Sequence, residues 1–175
     1  MKLYKTKFKN LIIVKSKLHF DKRGIFREVF KKKIINKKFI FSCVSVSKKN
    51  VIRGLHMQTK NAQGKFLTVI KGEIFDVALD LRKKSSTFGK YFCIRLSDQN
   101  GKSIFIPEGF AHGFVGLKKE NIIHYFCTKY RSIKHEIGLM WNDKDLKIKW
   151  PTNNPIISIK DKKNLKFKDY LRKYF

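Results

Sequence analysis

The chain has 175 residues, of which 42% are hydrophobic and 16 are Phe, so it is expected to form one globular domain over residues 1–175 and not a disordered basic polymer. No apolar run approaches the roughly 20 residues of a membrane-spanning helix, and Lys interrupts the N-terminus where a signal peptide would be apolar, so we expect a cytoplasmic protein with no membrane partner. The formal net charge is +28, but only seven of the 41 basic residues are Arg and the Lys residues are dispersed, which argues against nucleic acid as a partner.

Short apolar runs rich in Val, Ile, Phe and Tyr recur along the chain, and such runs are typical of β-strands. Turn signals such as Lys71-Gly72-Glu73 and Gln99-Asn100-Gly101 separate them. Two helical segments are predicted, one or two turns at 27–33 and a short C-terminal helix over 162–173. Many short strands favour a mainly β fold, a double-stranded β-helix or jelly-roll barrel with a ligand cavity at one end. The predicted strands are 11–14, 39–46, 66–70, 74–79, 91–96, 103–106, 114–117 and 122–128.

The segment Arg53-Gly54-Leu55-His56 is the first candidate for a functional site. An Arg and a His flank a Gly-containing step there, which we expect at the mouth of the barrel. A second His, His112, follows in the segment 107–114, and a Tyr-containing segment with Tyr125 and Tyr130 comes next. This ordered set predicts a site.

Neither the cysteines nor the histidines show the spacing of a metal site. Cys43, Cys93 and Cys127 form no CxxC pair, so we expect reduced, half-buried thiols in strands. A metal-binding cupin needs two closely spaced His, a carboxylate and a further His, and His56 has no His two residues on. We therefore predict no metal and no other cofactor.

Seven segments of the chain carry a recognisable pattern when they are taken in order: 21–28, 51–58, 72–82, 85–89, 106–114, 136–143 and 150–151. Together they resemble the segments of one known family, the dTDP-4-dehydrorhamnose 3,5-epimerases. The resemblance covers nearly the whole chain and implies a cupin-like, metal-free homodimer. It also implies epimerisation at C3 and C5 of a dTDP-linked 4-keto-6-deoxyhexose, in deoxysugar biosynthesis of the dTDP-rhamnose type.

The chemistry of such an epimerase needs three roles, and the resemblance supplies a residue for each. A ketone at C4 makes the C3 and C5 protons abstractable, so the enzyme needs a base, an acid on the opposite face, and a group that holds the enolate oxygen. By resemblance His56 is the base, Tyr125 the acid and Lys65 the enolate stabiliser. The alternatives are a structural His, an ordinary strand Tyr and a solvated surface Lys.

Two further residues would support the catalytic set. Asp161, in Ser158-Ile159-Lys160-Asp161, resembles the Asp that pairs with the catalytic His, where it would fix the His tautomer. Its alternative role is the N-cap of the predicted C-terminal helix. His112 is expected to bind sugar oxygens or assist Lys65, or else to be a buried His bonded to backbone.

Substrate binding is implied by resemblance for a basic and acidic set. Guanidinium groups match phosphate oxygens bidentately, and a carboxylate accepts from a base or a ribose hydroxyl. Two of these residues lie on an N-terminal arm that in the family crosses to the partner, which implies a homodimer with exchanged arms; they are Arg23 and Glu28. The remaining contacts are Arg53, Glu136 and Lys160.

Three positions depart from the family pattern. Phe41 and Cys43 stand where a Gln-x-Asn pair is common, and Arg131 replaces a Tyr that stacks on thymine, although a guanidinium also stacks on a base. These changes leave open the nucleotide base and whether one or two carbons are inverted. The alternatives are a 3- or 5-epimerase, a 3,4-ketoisomerase on another nucleotide sugar, a non-catalytic carbohydrate-binding cupin and a basic nucleic-acid-binding barrel.

Overall fold

The computed structural model describes residues 1–175, whose strands form two facing sheets and a separate hairpin. The first sheet has the order β1-β2-β10-β7-β12-β5, and the second has the order β13-β6-β11-β8-β9 with β14 beside β6. The strands are β1 (Lys2–Lys5), β2 (Ile12–Lys15), β3 (His19–Asp21), β4 (Gly24–Phe26), β5 (Phe41–Lys48), β6 (Val51–Gln58), β7 (Lys65–Lys71), β8 (Glu73–Asp80), β9 (Tyr91–Ser97), β10 (Lys102–Ile106), β11 (Phe110–Gly116), β12 (Glu120–Cys127), β13 (Glu136–Gly138) and β14 (Ile156–Ile157). The helical elements are the 3₁₀ turns Ile133–His135 and Asp161–Lys163 and the helix α1 (Phe167–Tyr174).

The core lies between the two large sheets, because alternate residues of each strand point inward. The first sheet contributes Leu67 and Ile104, the second contributes Ile74 and Leu96, and all four are fully buried. The prediction of a mainly β, jelly-roll fold is confirmed, and each of the eight predicted strands overlaps an observed one. No helix is both long and apolar enough to cross a membrane.

The predicted helical turns at 27–33 are wrong, because this segment lies across the outer face of the first sheet without helical structure. The Arg27 guanidinium donates to the Thr68 hydroxyl at 3.3 Å. Three residues later the Phe30 ring stacks on Phe126 with the ring centroids 5.3 Å apart. Contacts with the sheet therefore override the local helix propensity.

The predicted C-terminal helix over 162–173 starts too early, because α1 begins at Phe167. Leu165 donates its backbone N–H to the Gly138 carbonyl at 3.0 Å, an extended pairing that interrupts any helix running through it. The first N–H of α1, from Phe167, is bound by the Asp143 carboxylate at 2.8 Å. Asp161 does not cap this helix, so the N-cap alternative is wrong.

Arg53-Gly54-Leu55-His56 lies in the middle of β6, a strand that the sequence did not predict. β6 pairs with β11 on one side and β13 on the other. At Gly54, where φ is +115°, a Cβ would lie 2.5 Å from the Gly113 Cα and 2.6 Å from the His112 carbonyl oxygen. Glycine here allows β6 to approach β11 closely.

Replacing Gly54 with Ala is expected to destabilise the fold by about 3 kcal/mol or more, because backbone strain and overpacking add. Gly24→Ala is the matched control, since Gly24 has φ +128° and nothing within 4 Å of an added Cβ. Gly24→Ala should therefore lower the free energy of unfolding only through backbone strain, by about 1 kcal/mol. Urea unfolding followed by Trp fluorescence measures both, and equal losses would contradict the packing argument.

Candidate active site

A pocket of about 570 Å³ opens between the two sheets and gathers most of the residues predicted from the sequence. β6 and β11 form one wall, while β5, β7 and β12 form the other. The predicted site residues that line the pocket are Arg53, His56, Lys65, His112, Tyr125, Arg131, Glu136, Lys160 and Asp161.

His56 and Asp161 form a hydrogen-bonded pair at the bottom of one wall. The His56 Nε2 lies 2.6 Å from the Asp161 Oδ1, and the Asp161 side chain is buried. The Asp161 carboxylate also accepts from the Gly54 N–H at 3.4 Å and from the Asn164 amide at 3.3 Å. Burial by itself would raise the pKa of Asp161, but these hydrogen bonds, chiefly that from His56, lower it below its ordinary value. Asp161 is therefore ionised, and His56 Nδ1 has no protein partner.

A second His–carboxylate pair lies beside the first. Its histidine, His112, was predicted from the sequence, but its carboxylate, Asp76, was not. His112 is the cross-strand neighbour of His56, and its Nε2 lies 2.7 Å from the Asp76 Oδ2. Both side chains are buried, so His112 binds a carboxylate and not backbone. A charged residue in the middle of the apolar run 74–79 was the signal that could have identified Asp76. Its Oδ1 is buried without a partner.

Tyr125 faces this pair from the opposite sheet. Its hydroxyl lies 3.2 Å from the Ser45 Oγ, and its ring packs edge-on against that of His112 with the centroids 6.4 Å apart. Burial raises the pKa of the Tyr125 phenol well above its ordinary value. The phenol therefore stays protonated through the neutral and mildly alkaline range.

Lys65 opens β7 and extends along the same wall as Tyr125. Its side chain makes no hydrogen bond or ion pair within the chain. Burial lowers the pKa of Lys65, and Cys127 and Glu136 nearby partly oppose this shift. An ammonium without a protein partner can bind an oxygen of a ligand in the pocket.

Charged side chains surround the pocket opening. Glu136 accepts from the Arg131 Nε at 2.9 Å and from the Lys160 ammonium. Burial of Glu136 opposes its ionisation, but the Arg131 and Lys160 cations outweigh it and lower the pKa to about 2. Arg53 is held by the Ser47 hydroxyl at 2.9 Å. These cations are arranged to bind an anion at the opening.

Arg23 and Glu28 do not line the pocket of their own chain. Arg23 lies in the turn of the exposed β3–β4 hairpin, where it pairs with Asp21 at 2.7 Å. Glu28 pairs with Lys31 at 2.5 Å. The structure thus separates these two residues from the rest of the predicted site.

The positions that depart from the family pattern also line the pocket. Phe41 and Cys43 lie on β5, and Phe41 packs against Tyr130 with the ring centroids 6.1 Å apart. All three cysteines are free and lie in strands, but none is half-buried as expected, because Cys43 and Cys93 are exposed and Cys127 is buried.

Comparison with known proteins now identifies the family. The model of the dTDP-4-dehydrorhamnose 3,5-epimerase family matches residues 5–169. This chain belongs to that family. A dTDP-4-dehydrorhamnose 3,5-epimerase from Methanothermobacter thermautotrophicus is 43% identical over 166 residues, which cover 90% of each chain.

Solved structures of epimerases have the same fold. The dTDP-4-dehydrorhamnose 3,5-epimerase from Elizabethkingia anophelis superposes with a TM-score of 0.90 at 37% identity and covers 97% of each chain. An epimerase from Legionella pneumophila, solved in complex with dTDP-4-keto-L-rhamnose, has a TM-score of 0.88 at 36% identity. That match covers 93% of this chain and 90% of the Legionella chain.

Proposed function

We propose that this epimerase-family chain inverts both C3 and C5 of a dTDP-linked 4-keto-6-deoxyhexose, without a metal or cofactor, in the cytoplasm. One observation carries the proposal: the His56–Asp161 pair faces Tyr125 and Lys65 across a single pocket. The ligand in the Legionella relative, dTDP-4-keto-L-rhamnose, is of the same chemical class. The cations around the opening suit its diphosphate.

The proposed chemistry divides between the two walls. His56 takes a carbon-bound proton through Nδ1, and the Asp161 carboxylate on Nε2 stabilises the imidazolium that forms. The Lys65 ammonium stabilises the negative charge that develops on the C4 oxygen. Tyr125 then donates its phenolic proton to the opposite face of the carbon. Inversion results because removal and return of the proton come from opposite sheets.

The proposed binding of the nucleotide uses the residues at the opening. Arg53 and Lys160 bind the diphosphate, and His112 binds a sugar oxygen through the ring nitrogen that Asp76 leaves free. Glu136 accepts two hydrogen bonds from the Arg131 guanidinium, at 2.9 and 3.3 Å. The flat face of this guanidinium is therefore available to stack on the base.

Exchange of the N-terminal arm between two protomers would complete the proposed site. Apolar side chains of the β3–β4 hairpin are two-thirds exposed, with Phe20 at 66% and Phe26 at 67%, and monomeric proteins rarely leave such surface in water. The edge strand β5 exposes Val44 and Val46 as well. We propose that the hairpin docks on a second copy and brings Arg23 and Glu28 to its pocket.

Mixed dimers test this arrangement. Arg23→Ala alone is expected to raise KM about tenfold or more, because it removes a charge-assisted hydrogen bond to phosphate. Mixing Arg23→Ala with inactive His56→Asn should restore activity, because one pocket of each mixed dimer then combines an intact His56 with an intact Arg23. Restored activity above the average of the two parents supports the exchange. Activity equal to that average means that Arg23 serves its own chain.

Proton exchange tests the reaction itself. A dTDP-4-keto-6-deoxyhexose incubated with the enzyme in D₂O should take up deuterium at both C3 and C5, as followed by NMR, while the inverted product accumulates. Uptake at one carbon only would indicate a 3- or 5-epimerase. This is the second candidate function, because Phe41 and Cys43 stand where the family commonly has a Gln-x-Asn pair. If neither carbon takes up deuterium, the epimerase proposal is refuted.

A further inference from the structure

Two cysteines lie side by side in the wall of the pocket. Cys43 is opposite Tyr125 in the β5–β12 register, and Cys127 is opposite Phe41, so the two cysteines are diagonal neighbours on the same face. Both line the pocket. The third cysteine, Cys93, lies on β9 outside the pocket. The arrangement is therefore a dithiol and not a lone cysteine.

A disulfide between these cysteines requires backbone movement and would be easily reduced. Diagonal neighbours in an antiparallel pair lie about 7–8 Å apart, whereas a disulfide closes without backbone movement only below about 7 Å. Both side chains enter the pocket from the same face of the β5–β12 pair, so neither has to cross the sheet to meet the other. Closure must shift β5 relative to β12, and disulfides that strain the backbone are the labile, reversible ones.

The two thiols differ in accessibility and in charge environment. Cys43 is exposed to the pocket, and the Lys65 and Arg131 cations beside it favour its thiolate, although burial keeps its pKa above the ordinary value. Cys127 is buried, and burial raises its pKa to about 11. An oxidant that enters the pocket therefore meets Cys43 first, and Cys127 is positioned to react second.

We propose that Cys43 and Cys127 form an oxidation site, at which a peroxide converts the pocket dithiol into a disulfide. The Cys43 thiolate attacks one oxygen of hydrogen peroxide, the O–O bond breaks, and water leaves as Cys43 becomes a sulfenic acid. The Cys127 thiolate then attacks the Cys43 sulfur, and the hydroxyl group leaves as a second water. Two thiols lose two electrons in total, which reduce one peroxide to two waters.

The disulfide should reversibly lower turnover. Cys43 is directly opposite Tyr125, and Ser45, which bonds the Tyr125 hydroxyl, lies two residues further along β5. A shift of β5 relative to β12 moves the proposed acid relative to the proposed base. Misplacement by about 1 Å can cost as much as 10²-fold in rate, and we expect a loss of about tenfold or more. This consequence rests on the proposed function, whereas formation of the disulfide does not.

Peptide mapping after oxidation tests the site. The reduced protein is treated with hydrogen peroxide at pH 7 and pH 9, digested without reductant, and analysed by mass spectrometry. We expect a peptide that links Cys43 to Cys127, formed faster at pH 9 because both thiols are then more ionised. Activity should fall as the linked peptide appears and return with dithiothreitol. Cys93→Ser is the matched control and should respond as the wild type does, whereas Cys43→Ser and Cys127→Ser should form no linked peptide.

Three results would overturn the proposal. The first is oxidation of Cys43 to sulfinic acid with no linked peptide. The second is a disulfide through Cys93 between two chains in place of the pocket disulfide. The third is inactivation of Cys43→Ser by peroxide as fast as that of the wild type. Because the linked peptide is detected without an activity assay, a failed epimerase assay leaves the first two of these results measurable.

Discussion

Replacing His56 with Asn is expected to lower kcat for epimerisation by about 10²–10⁴-fold, the usual contribution of a general base. The Asn amide can still donate to Asp161, so the carboxylate at 4% exposure is not left without a partner, and the fold should persist. Deuterium uptake at C3 and C5 should fall together with turnover, because His56 is proposed to remove both protons. Binding of dTDP, measured by calorimetry, should stay close to that of the wild type.

Two companion variants make the His56 result specific. Asp161→Asn keeps the side-chain shape but removes the charge that stabilises the imidazolium, so it should also lose turnover, though by less. His124→Asn is the matched control, since His124 lies on the outer face of β12 and bonds Ser42 at 2.8 Å, away from the pocket. Its activity should be unchanged. Deuterium uptake in His56→Asn at the wild-type rate would remove His56 from the base role.

The pairing of His56 with Asp161 could be anticipated from the sequence, but the residues around the pair could not. His56 and Asp161 are 105 residues apart, and only the resemblance to a family suggested that they meet. Asp76 was missed because a single carboxylate in an apolar strand gives no local sign of its partner. The structure supplies that sign through the β8–β11 register, which sets Asp76 opposite Phe114 and within reach of His112.

Local patterns were least informative where tertiary contacts decide the backbone. The segment 27–33 has helix-forming residues, but Phe30 and Arg27 attach it to the sheet instead. The strand β6 was missed around Gly54, because glycine is normally depleted in strands and reads as a turn. Its close approach to Gly113 is visible only when β11 is in place. Alternating apolar runs, by contrast, depend on burial alone and were predicted well.

Replacing Tyr125 with Phe is expected to separate proton removal from inversion. The Phe ring keeps the packing against His112, at a centroid distance of 6.4 Å, but has no proton to donate. Net epimerisation should fall by about 10²–10⁴-fold, as for loss of a general acid, while His56 continues to exchange substrate protons with D₂O. NMR distinguishes the two variants, because His56→Asn should lose uptake and inversion, whereas Tyr125→Phe should lose chiefly inversion.

The pH profile and a matched Tyr variant complete this prediction. Burial raises the pKa of Tyr125, so wild-type activity should not be lost through ionisation of this phenol as the pH rises toward 10. Tyr91→Phe is the control, because the Tyr91 hydroxyl bonds the Lys147 carbonyl at 3.4 Å, outside the pocket, and its loss should leave inversion unchanged. Inversion by Tyr125→Phe at the wild-type rate would assign the second proton to another donor, and His112, whose ring packs against that of Tyr125, is the next residue to test.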